Sequence, residues 1–245
     1  MSEFFILVIA FLSNMKRIRT LLVIFDEEIR PFEIEAFRGA VIQKAGLENT
    51  VFHNHYADGR YVYQYPLIQY KAARGKPVLF CVDQGVDEVH HFFTNKNWDV
   101  HISGRTLHLK ISRLDLKSCN LNVWNQHFNY RISHWLALNQ ENYKKYLGLH
   151  TDDDRRQMLA RILTGNVISF AKSVKWEVDK PVETRITEMV RQKTMLYKNN
   201  KLLAFDVIFS ANVSLPDWLS LGKGASHGFG VIRRMKMYKT VATIS

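Results

Sequence analysis

Two hydrophobic spacings alternate along the first half of the chain, and their order restricts the folds that this half can adopt. Apolar and β-branched residues dominate the run RIRTLLVIF, and apolar residues then recur at helical spacing at Ile34, Phe37, Val41 and Ala45. The predicted elements are strands at 17–25, 61–70, 78–82, 98–102 and 106–111 and helices at 34–45 and 86–93. With the last two strands taken together, the predicted order is β-α-β-β-α-β.

This order is the split βαβ pattern of a ferredoxin-like unit, in which two helices cover one sheet face and the other face stays open. After Arg113 the pattern partly repeats, with strands at 121–130, 182–190 and 194–197, helices at 140–147 and 152–170, and a two-residue turn at Asn199-Asn200. Thr151 before three aspartates is typical of a helix start. We therefore predict an α+β fold of two tandem ferredoxin-like (RRM-like) domains, at 15–113 and 114–245, with residues 1–14 as an extension outside the fold.

The charge balance indicates a polyanionic partner. The chain has 34 Lys and Arg against 23 Asp and Glu, a formal charge of +11, and 245 residues suffice for two cores. Nucleic acid is the first candidate, and an anionic membrane surface is the alternative. Cys81 and Cys119 form neither a disulfide framework nor a metal motif, which favours a reducing cytoplasm. The apolar run FFILVIAFL is too short to span a bilayer, although it could be a strand or an anchor.

The segment LGKGASHGFGVIRR is the strongest local signal of function. Glycine backbones let N–H groups approach phosphate oxygens closely, and neighbouring cations add affinity for a phosphate backbone. The spacing is not that of a P-loop, and the alternative interpretation is a glycine-rich turn between two strands of the second sheet. The predicted RNA-binding residues here are Gly222, Lys223, Gly224, Ser226, His227, Gly228, Gly230, Arg233 and Arg234.

A paired-histidine motif, His53 and His55, suits RNA cleavage because RNA supplies its own nucleophile. One imidazole could take the 2′-hydroxyl proton and another protonate the departing 5′-oxygen, while a tyrosine or a lysine assists. The predicted catalytic residues are His53, His55, Tyr61, Tyr63 and Lys71. Surface histidines and tyrosines covering a sheet face are the alternatives. Arg38 could bind a phosphate or pair with Glu35, and without HExxH or cysteines at ligand spacing we expect no metal ion and no cofactor.

At GKGASHGFG the chain resembles the CRISPR-associated repeat-processing endoribonucleases of the RAMP superfamily. The segments FRGAVIQK, HNHYADGRYVYQYPLIQYK and GKPVLFCVDQG resemble the archaeal-type, Cas-six-like subfamily with paired histidines, and the resemblance covers most of the chain. It implies two ferredoxin-like domains facing a cleft in which CRISPR repeat transcripts are cut into guide RNAs. It also implies that His53 and His55 are the paired histidines and that a tyrosine of the YVY stretch assists them.

The resulting expectation is a metal-independent endoribonuclease that leaves 2′,3′-cyclic phosphate and 5′-hydroxyl ends. The alternatives are a non-catalytic RNA-binding RAMP subunit of a CRISPR effector complex and a basic protein associated with a membrane. The expected partner is CRISPR repeat RNA, joined by an effector complex or by a second copy in a homodimer, with no membrane and a cytoplasmic location.

Overall fold

A computed structural model describes residues 15–46 and 65–235. The strands are β1 Lys16–Phe25, β2 Ile68–Ala73, β3 Lys76–Val82, β4 Val100–Ile102, β5 Arg105–Leu107, β6 Ile111–Leu121, β7 Val123–Trp135, β8 Thr184–Tyr197, β9 Asn200–Val213 and β10 Val231–Arg234. The α-helices are α1 Ile34–Ala45, α2 Gln84–Glu88, α3 His90–Phe93, α4 Gln140–Leu147 and α5 Asp152–Ser173. Two 3-10 helices span Pro31–Glu33 and Ala225–His227.

The first sheet has the strand order β2-β3-β1-β6, and each neighbouring pair is antiparallel. This is the strand arrangement of a ferredoxin-like unit. The predicted fourth strand was wrong: residues 98–111 form mainly the separate β4–β5 hairpin, whose turn residues Ser103 and Gly104 both have positive φ. The fourth strand is β6, so the predicted division between residues 113 and 114 falls within a strand of the first sheet, and the division itself stays a prediction.

Helix α1 packs on one face of this sheet, as its apolar spacing predicts. Phe37, Val41 and Ile42 are buried against β1, where the Phe37 ring meets the Phe25 ring with centroids 6.3 Å apart. The opposite face of β1 carries Ile18 and Leu22, which belong to the core cluster of the second domain. The first sheet therefore lies between its own helices and the second domain.

The second sheet has the order β10-β7-β9-β8 and is also antiparallel. Helix α5 begins as predicted, because the Thr151 hydroxyl accepts a hydrogen bond from the Asp154 N–H at 3.1 Å. The β8–β9 turn lies one residue earlier than predicted. Tyr197 pairs with Asn200, and the intervening Lys198 and Asn199 have φ of 47° and 61°.

The second domain departs from the ferredoxin-like pattern between β9 and β10, where the pattern expects a second helix. Residues 214–230 instead form a loop that contains the 3-10 helix Ala225–His227. The predicted glycine-rich segment is the distal part of this loop, and it does join two strands of the second sheet. Throughout the part of the chain that the structure describes, no helix is long and apolar enough to cross a membrane.

Candidate nucleic-acid interface

The glycine-rich loop, residues 222–230, is closed at its base by backbone pairing. Leu221 N–H donates to the Gly230 carbonyl at 2.8 Å, and Ile232 N–H donates to the Leu219 carbonyl at 2.8 Å. Gly224 and Gly228 flank the 3-10 helix with φ of 73° and 79°, a region that favours glycine. The loop therefore has a defined conformation that its glycines make possible.

The glycine-rich loop also lies against the first domain. A Cβ atom at Gly228 would be 3.2 Å from Cδ1 of Ile34, the first residue of α1, and 3.3 Å from the Tyr70 carbonyl oxygen on β2. On its other side, Tyr197 at the tip of the β8–β9 hairpin contacts Phe229, with ring centroids 5.4 Å apart. Three separate parts of the fold thus meet at this loop.

Each of these three parts contributes a cation near the glycine-rich loop. Arg38 comes from α1, Lys198 from the hairpin tip and Lys223 from the loop, and Lys223 Nζ lies 5.8 Å from the centre of the Tyr197 ring. Burial, followed by the charges of Arg38 and Lys198, lowers the pKa of His227 to about 4. We call Arg38, Tyr197, Lys198 and the glycine-rich loop the glycine-loop site. Three cations beside a neutral imidazole and a glycine backbone suit it to bind an anion.

A second cationic surface is a cleft of about 1030 Å³ between the domains. It is lined by β1, β3 and β6 of the first sheet, by the start of the β9–β10 connection and by β10. Its charged lining residues are Arg74, Arg113, Lys117, Arg233, Arg234, Asp115 and Asp217. Both acids are already engaged, because Asp115 accepts from the Arg113 side chain and Asp217 accepts from the Arg234 N–H. The cleft therefore offers an excess of positive charge.

Arg233 is the most confined of the cleft cations. Its guanidinium carbon lies 3.0 Å from the centre of the Trp218 ring, and Trp218 has the unusual φ of 73°. Burial lowers the pKa of Arg233 to about 10, and the nearby charges of Arg113 and Arg74 act in the same direction against that of Asp217. A phosphate bound here would relieve this crowding of like charges.

Two family models match the chain, one over each domain. The model of the Cas6b N-terminal domain matches residues 16–120, and the model of the Cas6b C-terminal domain matches residues 122–235. The chain belongs to the Cas6b family. A crystal structure of Cas6b covers 90% of the chain at TM-score 0.79 and 22% identity, over the full length of that structure. Both the predicted family and the predicted pair of ferredoxin-like domains are confirmed.

Two further relatives are similar to this Cas6b chain. The crystal structure of the CRISPR RNA processing endoribonuclease Cas6b has TM-score 0.66 and 18% identity, covering 90% of the chain and all of that structure. An uncharacterized protein of Methanocaldococcus jannaschii is 33% identical over 105 residues, which are 43% of the chain and 70% of that protein.

The predicted RNA-binding residues of the Cas6b chain divide between the two surfaces. Arg38, Lys223, Ser226, His227 and the four glycines lie in or beside the glycine-loop site, where Ser226 Oγ is 2.9 Å from His227 Nδ1. Arg233 and Arg234 line the cleft instead. The structure thus brings Arg38 of the first domain to the loop of the second, 184 residues or more along the chain.

Of the predicted catalytic residues, Lys71 alone lies within the part of the chain that the structure describes. His53, His55, Tyr61 and Tyr63 lie outside the described residues, so their roles stay predictions. Lys71 is buried, and its Nζ donates to Gln69 Oε1 and to Ser220 Oγ, each at 2.8 Å. These contacts are with protein groups and give Lys71 no exposed donor for a phosphate. Among residues 15–46 and 65–235, no group of three or more His, Cys, Asp or Glu side chains could hold a metal ion.

Five residues of the two surfaces were not predicted from the sequence: Tyr197 and Lys198 of the glycine-loop site, and Arg74, Arg113 and Lys117 of the cleft. Lys198 could have been suspected, because a cation at a hairpin tip is exposed to any ligand. Its approach to the glycine-rich loop, however, depends on how β8 and β9 pack against the rest of the domain. No local pattern carries that information.

Proposed function

We propose that this Cas6b chain is a metal-independent endoribonuclease that cuts CRISPR repeat transcripts into guide RNAs. In the proposed reaction the ribose 2′-hydroxyl attacks the adjacent phosphorus and the 5′-oxygen leaves, giving 2′,3′-cyclic phosphate and 5′-hydroxyl ends. The similarity to a CRISPR RNA processing endoribonuclease Cas6b and to a type IV Cas6 crRNA endonuclease supports an RNA-cutting activity. Metal independence rests on chemistry, since RNA carries its own nucleophile and imidazoles can move both protons.

One observation carries the proposal: the glycine-loop site is a cluster of cations assembled from both domains. Arg38 comes from the first domain, and Lys198 and Lys223 come from the second. Positive charge concentrated beside a glycine-rich backbone would bind a phosphate and stabilise negative charge that develops on its non-bridging oxygens. We propose that the cleft holds a neighbouring stretch of the same RNA through its excess of cations, so that the RNA contacts both surfaces.

The proton transfers are assigned to His53 and His55, with Tyr61 or Tyr63 orienting the reacting groups. His227 is a poor candidate for the general acid, because a group whose pKa is about 4 carries almost no proton to donate at neutral pH. It is better suited to hydrogen bonding with RNA in its neutral form.

The decisive experiment incubates the chain with repeat RNA in excess chelator and compares natural RNA with RNA that carries a single 2′-deoxy at the scissile nucleotide. The proposal expects cleavage of the natural RNA alone, with a cyclic phosphate on the upstream product. Cleavage of both RNAs would rule out attack by the 2′-hydroxyl, and a requirement for divalent metal would rule out metal independence.

His53→Ala and His55→Ala then separate an enzyme from an RNA-binding RAMP subunit. The enzyme proposal expects each variant to lose cleavage by about 10²-fold or more while its affinity for the 2′-deoxy RNA stays within a factor of two. His101→Ala is the matched control, because His101 is an exposed histidine on the β4–β5 hairpin. Binding without cleavage by the unmodified chain would support the subunit role, within an effector complex or as a homodimer.

A further inference from the structure

One buried serine of the second domain is hydrogen-bonded to the first domain through its N–H, its hydroxyl and its carbonyl. Ser220 N–H donates to Gln69 Oε1 at 3.0 Å, and Ser220 Oγ accepts from Lys71 Nζ at 2.8 Å. The Tyr65 hydroxyl donates to the Ser220 carbonyl, and Gln69 Nε2 donates to the Tyr65 oxygen at 2.9 Å. These four residues, Tyr65, Gln69, Lys71 and Ser220, form a closed polar network, which we call the Ser220 network.

The Ser220 network is sealed from water. Ser220 and Gln69 are 0% exposed, Lys71 is 2% exposed, and the Phe80 ring centre lies 5.5 Å from Lys71 Nζ. Burial, with a smaller contribution from the charge of Arg233, places the pKa of Lys71 well below its usual range. Burying so many polar groups is costly unless each has a partner, and the cost of breaking a single contact is correspondingly high.

The position of Ser220 in the chain links the Ser220 network to the base of the glycine-rich loop. Ser220 bridges to Val231, and the next pair, Leu221 with Gly230, closes the base of the glycine-rich loop. The first loop residue, Gly222, is therefore two positions from a residue clamped to β2. At the other end of the network, Tyr65 follows Tyr63, a proposed catalytic residue, by two positions.

We propose that Tyr65, Gln69 and Lys71 are positioning residues that clamp Ser220 and thereby hold the glycine-rich loop in its RNA-binding arrangement. The inference rests on the proposed function, because the loop must bind RNA for its position to matter. It assigns Lys71 a role different from direct contact with the scissile phosphate. Its amine acts through Ser220 on a loop whose backbone and Lys223 contact the RNA.

The test is a double-mutant cycle between the network and the loop, read as the Kd for RNA with a 2′-deoxy at the scissile nucleotide. In the unmodified chain, Lys223→Ala should weaken binding about fivefold, the effect of one charge-assisted phosphate contact. In a Lys71→Met or Gln69→Leu background, the same substitution should weaken binding by less than about twofold, because a displaced loop no longer presents Lys223. Gln69→Glu keeps an oxygen acceptor for Ser220 N–H and should restore most of the coupling.

A second measurement, amide hydrogen exchange of the RNA-free protein, keeps the proposal independent of cleavage. Exchange at Leu221 and His227, whose N–H groups donate to Gly230 and Gly224, should accelerate about tenfold or more in Lys71→Met. Asn212→Ala is the control, since Asn212 is a buried residue that bonds to residues 181 and 183 in the second domain. If Gln69→Leu does not fold, the double variant Lys71→Met with Ser220→Ala replaces it. This variant removes both the donor and the acceptor of the hydrogen bond between Lys71 and Ser220, so neither group of that bond is left unpaired.

Two outcomes overturn the inference. Unchanged exchange in Lys71→Met with an additive cycle would show that the network does not position the loop. Lost cleavage in Lys71→Met with unchanged Kd and exchange would identify Lys71 as a catalytic residue. Failure of the proposed function would look different, because faster loop exchange in Lys71→Met would then coexist with an absence of RNA cleavage by the unmodified chain.

Discussion

Gly230→Ala should be the most destabilising single methyl addition in the glycine-rich loop. Gly230 has φ of 66°, where an alanine costs about 1–2 kcal/mol. The new Cβ would also lie 2.0 Å from the Leu221 carbonyl oxygen. That contact would push the two sides of the loop base apart. It would weaken two hydrogen bonds, from Leu221 N–H to the Gly230 carbonyl and from Gly230 N–H to the His134 carbonyl, each worth about 1 kcal/mol. We expect a total loss of about 3 kcal/mol.

Urea unfolding and thermal melting measure this loss, which corresponds to a fall in Tm of roughly 10 °C for a chain of this size. Gly165→Ala is the matched control. It lies within α5, a Cβ there meets nothing within 4 Å, and the substitution should stabilise the helix by about 0.5–1 kcal/mol. The reasoning is refuted if Gly230→Ala loses less than about 1 kcal/mol, because the strain in the backbone alone should exceed that.

Two further perturbations probe the charges. Arg233→Ala should weaken RNA binding and reduce the slope of log K against log salt by about 0.7, the release of one counterion from single-stranded RNA. Arg19→Ala, which removes an exposed pair with Asp87, should leave that slope unchanged. The folded protein should lose stability as pH falls from about 6.5 to about 4, because in this window the unfolded His227 binds a proton that the folded one resists. The pH profile of His227→Gln, followed by urea unfolding, should be shallower there, and parallel profiles would contradict this assignment.

The elements that sequence reasoning located well are those whose stability is largely local. Helix α1 follows its apolar spacing, and α5 follows a capping threonine with acids in the first turn. The fourth strand was misplaced because β6 is an edge strand that borders the cleft. Leu114 and Leu116 are 53% and 60% exposed, and the other face carries Arg113, Asp115 and Lys117. The alternation of β6 is confined to residues 113–117 and ends at Ser118, so most of this 11-residue strand lacks the pattern that predicts a strand, whereas the β4–β5 hairpin has it on both sides of its turn.

The same distinction holds for the candidate functional surfaces. Residue composition can be recognised from the sequence, whereas contacts between residues far apart in the chain cannot. The composition of the glycine-rich loop was sufficient to select it as a candidate phosphate-binding segment, because glycines and cations are properties of the residues themselves. The burial of Lys71 was not foreseen for the opposite reason. Alternation along β2 places Ile68 and Tyr70 on the core face and Gln69 with Lys71 on the other, which sequence alone treats as exposed. A serine 149 residues later covers that other face.

Lys71 is a buried lysine beside a cationic cleft, and its two hydrogen bonds, to Gln69 and Ser220, explain its presence there better than its charge does. Burial, and to a smaller extent the charge of Arg233, lowers the pKa of Lys71, so a permanently charged guanidinium in place of the amine would add repulsion to the cost of burial. An amine can lose its proton and still donate to both Gln69 and Ser220. Lys71 can therefore join β2 to the base of the glycine-rich loop without adding a fixed charge to the interior.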